Sequence, residues 1–414
     1  MPLQKYYARY IKEPNKAPPR LMHIDMNSFF ATCEVFKNPL LKGLPVAVVP
    51  HLQGNPAILA SSYPAKFKGV KTGMRYRDAK KLCPNLQIFL ADASFYRKIS
   101  QKIMSVFRDF TPKVIPKSVD EALLDFTNVN TGKKNMEQIA FAIKQALKKR
   151  VGECFTCSIG VANSPFLAKI ASNVYKPDGY YYLNPNNLLS FYKSLKLSDL
   201  YGVGKKTEEK LNDLGIYTPI DFYNASLQFL QAHFKTNGYY WYVRLRGYSI
   251  DVLQTPKKSV GHSYHLKMFS NDYSYLTGII LKLSQKVGYR LRANSLSAKT
   301  FYVYLKFVDK TSWAHRQTFT TYTNLDFEIY KNFLQVFNKN PYKSKKVKIL
   351  LISTSSLSLN NYHKQKSLFE NNEKRLKFYT NLDKINNKFG AFTLMPAKLL
   401  NYKDIAPDRI SFGK

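Results

Sequence analysis

The chain carries 64 Lys and Arg against only 27 Asp and Glu, so its few acids are the informative residues. Three of them, Asp120, Glu121 and Asp125, crowd into the apolar run Ser118-Val-Asp-Glu-Ala-Leu-Leu-Asp-Phe126, and Asp25 falls near the end of the alternating run Leu21 to Met26. Anionic side chains gathered inside a cationic protein point to a metal site. Asp25, Asp120 and Glu121 converging from two strand ends would make a hard, oxygen-only pocket, suited to Mg²⁺ rather than zinc. Two such ions close together can activate an attacking hydroxyl and steady a departing phosphate. Adjacent residues of a regular strand point to opposite faces, so Asp120 and Glu121 can share a site only at a strand end or turn. The turn signal Pro116-Lys117-Ser118 permits that. Ordinary surface or capping acids would give the same residues.

Length and composition bound what surrounds these acids. A chain of 414 residues allows two to four compact units. With 45% hydrophobic and 14% aromatic residues it is not a disordered polyelectrolyte. No apolar run approaches the ~18 residues of a membrane span. Met1 to Pro19 lacks the apolar stretch of a secretory signal. Four cysteines argue against a disulfide scaffold, and the lone Cys154-x-x-Cys157 reads as a buried strand before it reads as zinc ligands. A net charge of +37 makes nucleic acid the default partner. An AT-rich coding sequence would also enrich Lys, Asn, Tyr, Phe and Ile, but it does not explain the scarcity of acids. Together these bounds describe a soluble, intracellular, strongly basic protein.

The elements that must position the acids are legible from pattern. Leu21 to Met26 alternates as a strand, with Asn27 or Ser28 able to cap a helix from Phe29 towards Phe36. Short strands are expected at Pro45 to Pro50 and Ala57 to Ala60. Helical spacing marks Tyr96 to Phe107 and Asn135 to Arg150. A strand at Cys154 to Val161 leads to Ser164-Pro165, an N-cap and first-turn proline opening a helix to Tyr175. Short helices follow from about Asn184 to Val252, then a linker at Thr255-Pro-Lys-Lys258. A final α+β unit has strands near Ser263, Thr300 to Val308, Arg316 to Thr320 and Val347 to Ile352, with helices at Leu276 to Leu291 and Leu325 to Asn338. From Ser353 onward the chain is Asn-, Ser- and Lys-rich and reads as partly mobile, and about Asp383 to Lys414 it is basic and reads as partly helical.

Two further stretches suit a polyanion. Tyr201-Gly-Val-Gly-Lys-Lys-Thr-Glu-Glu-Lys-Leu211 reads as a glycine hairpin opening a helix. Gly202 and Gly204 permit the turn, and Lys205 and Lys206 add charge to amides aimed at a phosphate. It resembles the helix-hairpin-helix motif, with Glu208 in place of the usual small residue. A helix-loop-helix that merely packs would look alike. In the last unit Tyr302, Tyr304 and Lys306 share one strand face opposite Phe301, Val303, Leu305 and Phe307. That suits a nucleic-acid groove as well as an ordinary half-buried strand.

Five motifs now stand in order: His23-Ile-Asp-Met-Asn-Ser-Phe-Phe30, Tyr63-Pro-Ala-Lys66, Ser118-Val-Asp-Glu-Ala122, Leu167-Ala-Lys-Ile-Ala171 and Lys176-Pro-Asp-Gly179. Over roughly residues 20 to 355 the chain resembles the Y-family translesion DNA polymerases of the UmuC-like and DinB-like bacterial branch, looking closest to its UmuC-like members. The resemblance implies a mixed α/β (α+β), multi-domain right hand. The palm would be 1–30 and 93–183 with a basic N-terminal extension, the fingers 31–92, and the helix-hairpin-helix thumb 184–252. A linker at 253–258, an α+β little finger at 259–355 and a tail at 356–414 would complete it.

By the same resemblance, Asp25, Asp120 and Glu121 would ligate two Mg²⁺ ions with help from the Met26 carbonyl. Phe29, Phe30, Tyr63, Lys66 and Lys176 would hold the nucleotide, with Phe30 as a steric gate that excludes a ribose 2′-hydroxyl by repulsion. Gly202, Gly204, Lys205, Lys206, Tyr302, Tyr304 and Lys306 would touch DNA. Gln365-Lys-Ser-Leu-Phe369 resembles the peptide that docks on the bacterial sliding clamp, with Gln365, Leu368 and Phe369 as anchors and Lys366 in place of the usual Leu. Asn27 stands where many relatives have Asp, Lys66 where the DinB-like branch has Arg, and Pro165 where many have Lys. The expected activity is error-prone, DNA-directed synthesis from dNTPs on primer-template DNA during damage tolerance. The expected setting is the nucleoid-associated cytoplasm, as a monomer with possible accessory subunits, with damage-induced expression a family tendency. A non-catalytic DNA-binding accessory protein and a metal-dependent repair nuclease are the competing classes.

Overall fold

In a computed structural model that describes residues 11–52, 54–132, 134–250, 257–359, 372–402 and 405–406, the alternating run Leu21–Met26 forms strand β1, buried along its whole length. It is followed by α1 (Phe29–Lys37), β2 (Val46–Val49), β3 (Ala60–Ser61), α2 (Tyr63–Phe67), α3 (Tyr76–Leu82) and β4 (Gln87–Leu90). Next come α4 (Ala93–Arg108), β5 (Val114–Pro116), β6 (Glu121–Asp125), α5 (Met136–Arg150), β7 (Cys157–Ala162), α6 (Pro165–Ala171) and β8 (Tyr180–Tyr182). The sheet order β5-β6-β1-β7-β8 puts β1 in the middle, antiparallel to β6 and β7. Met22, Ile24 and Met26 enter a core shared with Ile99, Ile103 and Phe107 of α4 and Ile139 and Ile143 of α5. His23 and Asp25 therefore take the other face. A smaller sheet, β3-β2-β4, packs its own core of Ala47, Val49, Ile58, Ala65 and Ala79.

Local chemistry sets the element ends. Asn135 caps α5 in a reciprocal box with Gln138. Ser164 Oγ accepts from Leu167 N, with Pro165 in the first turn of α6. That helix stops at Ala171, short of the expected Tyr175, as the chain turns towards the Lys176-Pro177 bond, where helical backbone is disfavoured. Strand β7 starts at Cys157 rather than Cys154, because Phe155 N closes a turn onto Gly152 O. Of the expected strand Ala57 to Ala60 only Ala60 is in β3, and Ala57 makes a single bridge to Arg75. Short helices follow: α7 (Leu188–Lys193), α8 (Lys205–Asp213), α9 (Pro219–Asn224), α10 (Leu227–Phe234) and α11 (Thr236–Leu245). They gather around Leu211, Phe222, Leu230 and Trp241.

A second compact unit begins after Gln254. It comprises β9 (Ser259–Ser270), α12 (Tyr273–Ala293), β10 (Leu296–Phe307), β11 (Ser312–Thr323), α13 (Asp326–Phe337), β12 (Val347–Leu359) and α14 (Asn372–Phe389). Its antiparallel sheet runs β11-β10-β12-β9. Phe301, Val303, Leu305 and Phe307 pack with Ile279, Leu283, Ile329 and Phe333 from α12 and α13.

Where the sequence suggests a tail from 356, β12 runs on to Leu359, the turn Ala397–Tyr402 packs on α12, and α14 is bonded to α12 through Tyr289–Asn387 and Arg292–Asp383. Arg292 Nε donates to Asp383 Oδ2 at 2.6 Å, and the buried Lys282 and Lys286 donate to the carbonyls of Tyr402 and Ala406 at 2.7 and 2.6 Å. Gly278 makes the approach possible, since a Cβ there would lie 2.0 Å from Tyr402 Cζ. Among the described residues, no helix is long and apolar enough to cross a membrane.

Candidate active site

Asp25 lies opposite Glu121 in the β1–β6 register, so both side chains leave the sheet on one face. Asp120 precedes β6 in a bend, its carbonyl accepting from Met26 N at 2.9 Å. Freed from strand alternation, its side chain lines the same cavity as the other two acids. That cavity, of about 230 Å³, is bounded by Asp25, Met26, Asp120 and Glu121 on the sheet side, and also by Phe29, Phe30, Tyr63, Lys66 and Lys176. Every residue expected to hold metal or nucleotide therefore faces one space.

The acids are not equivalent. A ligand atom from each of His23, Asp25 and Glu121 lies within 4.8 Å of the others. Asp120 stands outside that tightest group, its Oδ1 held at 2.5 Å by Ser118 Oγ. Lys169 of α6 donates to Asp25 Oδ2 at 2.8 Å and Glu121 Oε1 at 2.5 Å, and Lys176 Nζ lies 2.9 Å from Asp25 Oδ1. Burial would raise Glu121, yet His23 and Lys169 hold its carboxyl well below the usual range. Burial opposes the charge on Lys169, but Asp25 and Glu121 outweigh it and keep the ammonium above the usual range. Burial pushes Asp120 up, and the charges of Asp25 and Glu121 add to that rise against the Ser118 hydrogen bond. Buried carboxylates so arranged demand positive charge, and two ammonium groups supply it in this structure. An all-oxygen set around an open cavity fits hard divalent cations equally well.

Opposite the acids, Lys66 Nζ sits 4.4 Å above the Tyr63 ring. Burial and the nearby Lys176 pull the Lys66 ammonium below its ordinary range, against the attraction of Asp25. Two neighbouring cations, of which only Lys176 is ion-paired among the described residues, to Asp25, suit a polyphosphate. The loop bearing Lys176 is fastened just after that residue: Asp178 N donates to Asn27 Oδ1 at 2.9 Å, and Lys144 Nζ to Gly179 O at 3.1 Å.

Chain comparisons agree with this geometry. Residues 24–173 match the impB/mucB/samB family, 185–216 the HHH motif of the IMS family, and 257–368 the impB/mucB/samB family C-terminal domain. The DNA polymerase IV of Desulfatibacillum aliphaticivorans is 30% identical over 92% of this chain and 96% of its own length. DNA polymerase IV 1 of Bacillus subtilis is 31% identical over 95% and 96%. A solved Y-family DNA polymerase chimera, Dbh-Dpo4(243-245)-Dbh, shares the fold with a TM-score of 0.70 at 24% identity, over 82% of this chain and 99% of its own. The chain belongs to the Y-family DNA polymerases. Its relatives place it on the DinB-like side of the bacterial branch rather than the UmuC-like side.

Within this Y-family framework, several site residues carry roles that their sequence types conceal. Asn27 does not cap α1. Ser28 takes the N-cap position in left-handed backbone without a side-chain bond, while Asn27 bonds Ser158 Oγ, Thr156 Oγ1 and Asp178 N. A carboxamide that donates and accepts suits that junction, and it points away from metal ligation. Lys169 is the sole charged residue of an otherwise buried helix, a signal that could have marked it. His23 Nε2 is a buried nitrogen without a hydrogen-bond partner among the described residues, 3.6 Å from Glu121 Oε2, beyond bonding range. Burial lowers its pKa.

The expected DNA contacts fall elsewhere. Gly202 adopts φ +95° beside Trp241 and Gly204 is the N-cap of α8, with Lys205 and Lys206 exposed. Tyr302, Tyr304 and Lys306 lie half-buried on the second unit's sheet, with Arg316 5.6 Å from the Tyr302 ring. Gln365, Leu368 and Phe369 lie outside the described residues.

Proposed function

We propose that the chain is a DNA-directed DNA polymerase that extends primers across damaged template bases, with low fidelity, using two Mg²⁺ ions. The observation that carries this reading is the meeting of Asp25, Asp120 and Glu121 with Phe30, Tyr63, Lys66 and Lys176 around one cavity. When bound, the ions lower the pKa of the primer 3′-hydroxyl and neutralise charge on the departing pyrophosphate. Asp25 and Glu121, at facing strand positions, and Asp120, now bonded to Ser118, would hold them, with the Met26 carbonyl assisting. Lys169 neutralises Asp25 and Glu121 in this structure and would compete with cations for those oxygens. Lys66, Lys176 and Tyr63 bind and orient the triphosphate, and Phe30 closes the space beside the sugar C2′, so that a 2′-hydroxyl is excluded by repulsion.

In this reading the palm (1–30, 93–183), fingers (31–92), thumb (184–252) and little finger (259–355) act as one hand. The α8 hairpin and the Tyr302–Lys306 strand grip backbone, and residues 365–369 dock on a sliding clamp, raising local concentration at primer ends. The enzyme works in the cytoplasm at the nucleoid. Labelled primer-template with Mg²⁺ and four dNTPs tests it: the polymerase lengthens the primer, a nuclease shortens it, and an accessory protein leaves it unchanged.

A further inference from the structure

Steric exclusion by an aromatic ring is only as strict as the ring is immovable. Phe30 sits in the first turn of α1, and its ring stacks on that of Tyr96 from α4 at 4.8 Å between centroids and 14° between planes. Tyr96 is fully buried within the core. Phe29 meets its edge at 6.4 Å and 63°. Its hydroxyl donates to Glu34 Oε1 at 2.6 Å. Glu34 is one helical turn after Phe30, so the tyrosine is wedged against two residues of the same helix face. Lys37, one turn further, lies 3.5 Å from that same oxygen and 2.8 Å from Asp92 Oδ2. Asp92 in turn caps α4, accepting from Phe95 N at 3.0 Å. The loop Phe30, Tyr96, Glu34, Lys37, Asp92 thus closes from α1 onto the start of α4 and back.

We infer that Tyr96, pinned by Glu34, is the positioning residue that stiffens the Phe30 wall and so sets sugar selectivity. The inference rests on the reading of Phe30 as the sugar gate. A ring backed by a packed aromatic retreats only by overlapping it, and packed interiors resist such overlap strongly. Burial and the adjacent Glu34 carboxylate both keep the Tyr96 phenol protonated, so it remains a donor throughout the working pH range. A purely structural Tyr96 would slow deoxy- and ribonucleotide insertion alike. A gate support changes their ratio.

The experiment measures kcat/KM for matched dNTP and rNTP insertion by the full chain and four variants. Phe30→Ala reports on the gate itself and should lose most of the discrimination. Tyr96→Leu should lower the dNTP/rNTP ratio by about 10-fold, chiefly through faster ribonucleotide insertion. Tyr96→Phe keeps the ring and loses the tether, and should lower the ratio by about 3-fold. Glu34→Gln keeps an acceptor for the hydroxyl and should keep the dNTP/rNTP ratio near the wild-type value. If Phe30→Ala collapses the ratio while Tyr96→Leu and Tyr96→Phe leave it at the wild-type value, or slow both sugars equally, the inference is overturned and the gate stands. If Phe30→Ala leaves the ratio intact, the gate reading fails and the support role fails with it. Should Tyr96→Leu not fold, Tyr96→Phe against Glu34→Gln decides alone.

Discussion

Gly160 lies in β7 with α6 pressed onto its bare Cα: a Cβ there would meet Ser172 N at 2.2 Å, Ala168 O at 2.3 Å and Ala171 C at 2.7 Å. All three are backbone atoms, so no rotamer change relieves the clash. Gly160→Ala therefore forces α6 back by about 1 Å to reach ordinary contact distance. That helix carries Lys169, bonded to Asp25 and Glu121, and leads into the loop of Lys176. Overpacking of this kind costs about 1–3 kcal/mol, which lowers Tm by roughly 2–4 °C per kcal/mol in a unit of this size. A misplacement of about 1 Å at a reacting centre costs about 100-fold in rate. Gly160→Ala should thus melt several degrees lower and extend primers about 100-fold more slowly, with primer-template affinity nearly unchanged. Full extension rate with an unaltered Tm would refute the claim that this close approach sets the site geometry.

Three other outcomes follow from single contacts. Gly278→Ala should expel Tyr402 from α12 and open the segment after Asn372 to proteolysis, whereas wild-type resistance would mean the segment docks without that gap. Lys169→Met removes the cation shared by Asp25 and Glu121; Mn²⁺ should bind the nucleotide-free protein more tightly, by about 3- to 10-fold, and weaker binding by titration would contradict competition for those oxygens. Lys205→Ala with Lys206→Ala should weaken DNA binding evenly across sequences and reduce the salt slope by about 1 per lysine, with an unaltered slope excluding the α8 hairpin from the DNA.

The acids were legible in the sequence because their placement obeys local rules. Asp25 lies near the end of an alternating strand, and Asp120 and Glu121 follow a turn signal, so strand-end geometry alone suggests convergence. Ser164-Pro165 likewise announces α6. Partners distant in the chain were not legible. Asn27 reads as a cap because short polar side chains favour that position, yet Ser158 and Asp178 claim it from more than a hundred residues away. Lys169 stands out as the one charge of an apolar helix, but nothing local names the two acids that the fold brings to it. The stretch from Ser353 onward reads as partly mobile from its Asn, Ser and Lys content. The docking of Tyr402 and Ala406 depends on Gly278, Lys282 and Lys286, about 120 residues earlier, and no local pattern connects them.

Counting divalent cations at the site tests the chemistry most directly. Mn²⁺ can be titrated by electron paramagnetic resonance into the full chain bound to a dideoxy-terminated primer-template and the matching dNTP. Two ions per ternary complex are expected for the wild type, falling to one or none in Asp120→Asn and Glu121→Gln while primer-template remains bound. Equal stoichiometry in wild type and both variants, or no bound ion in any of them, would contradict a metal centre built from these acids.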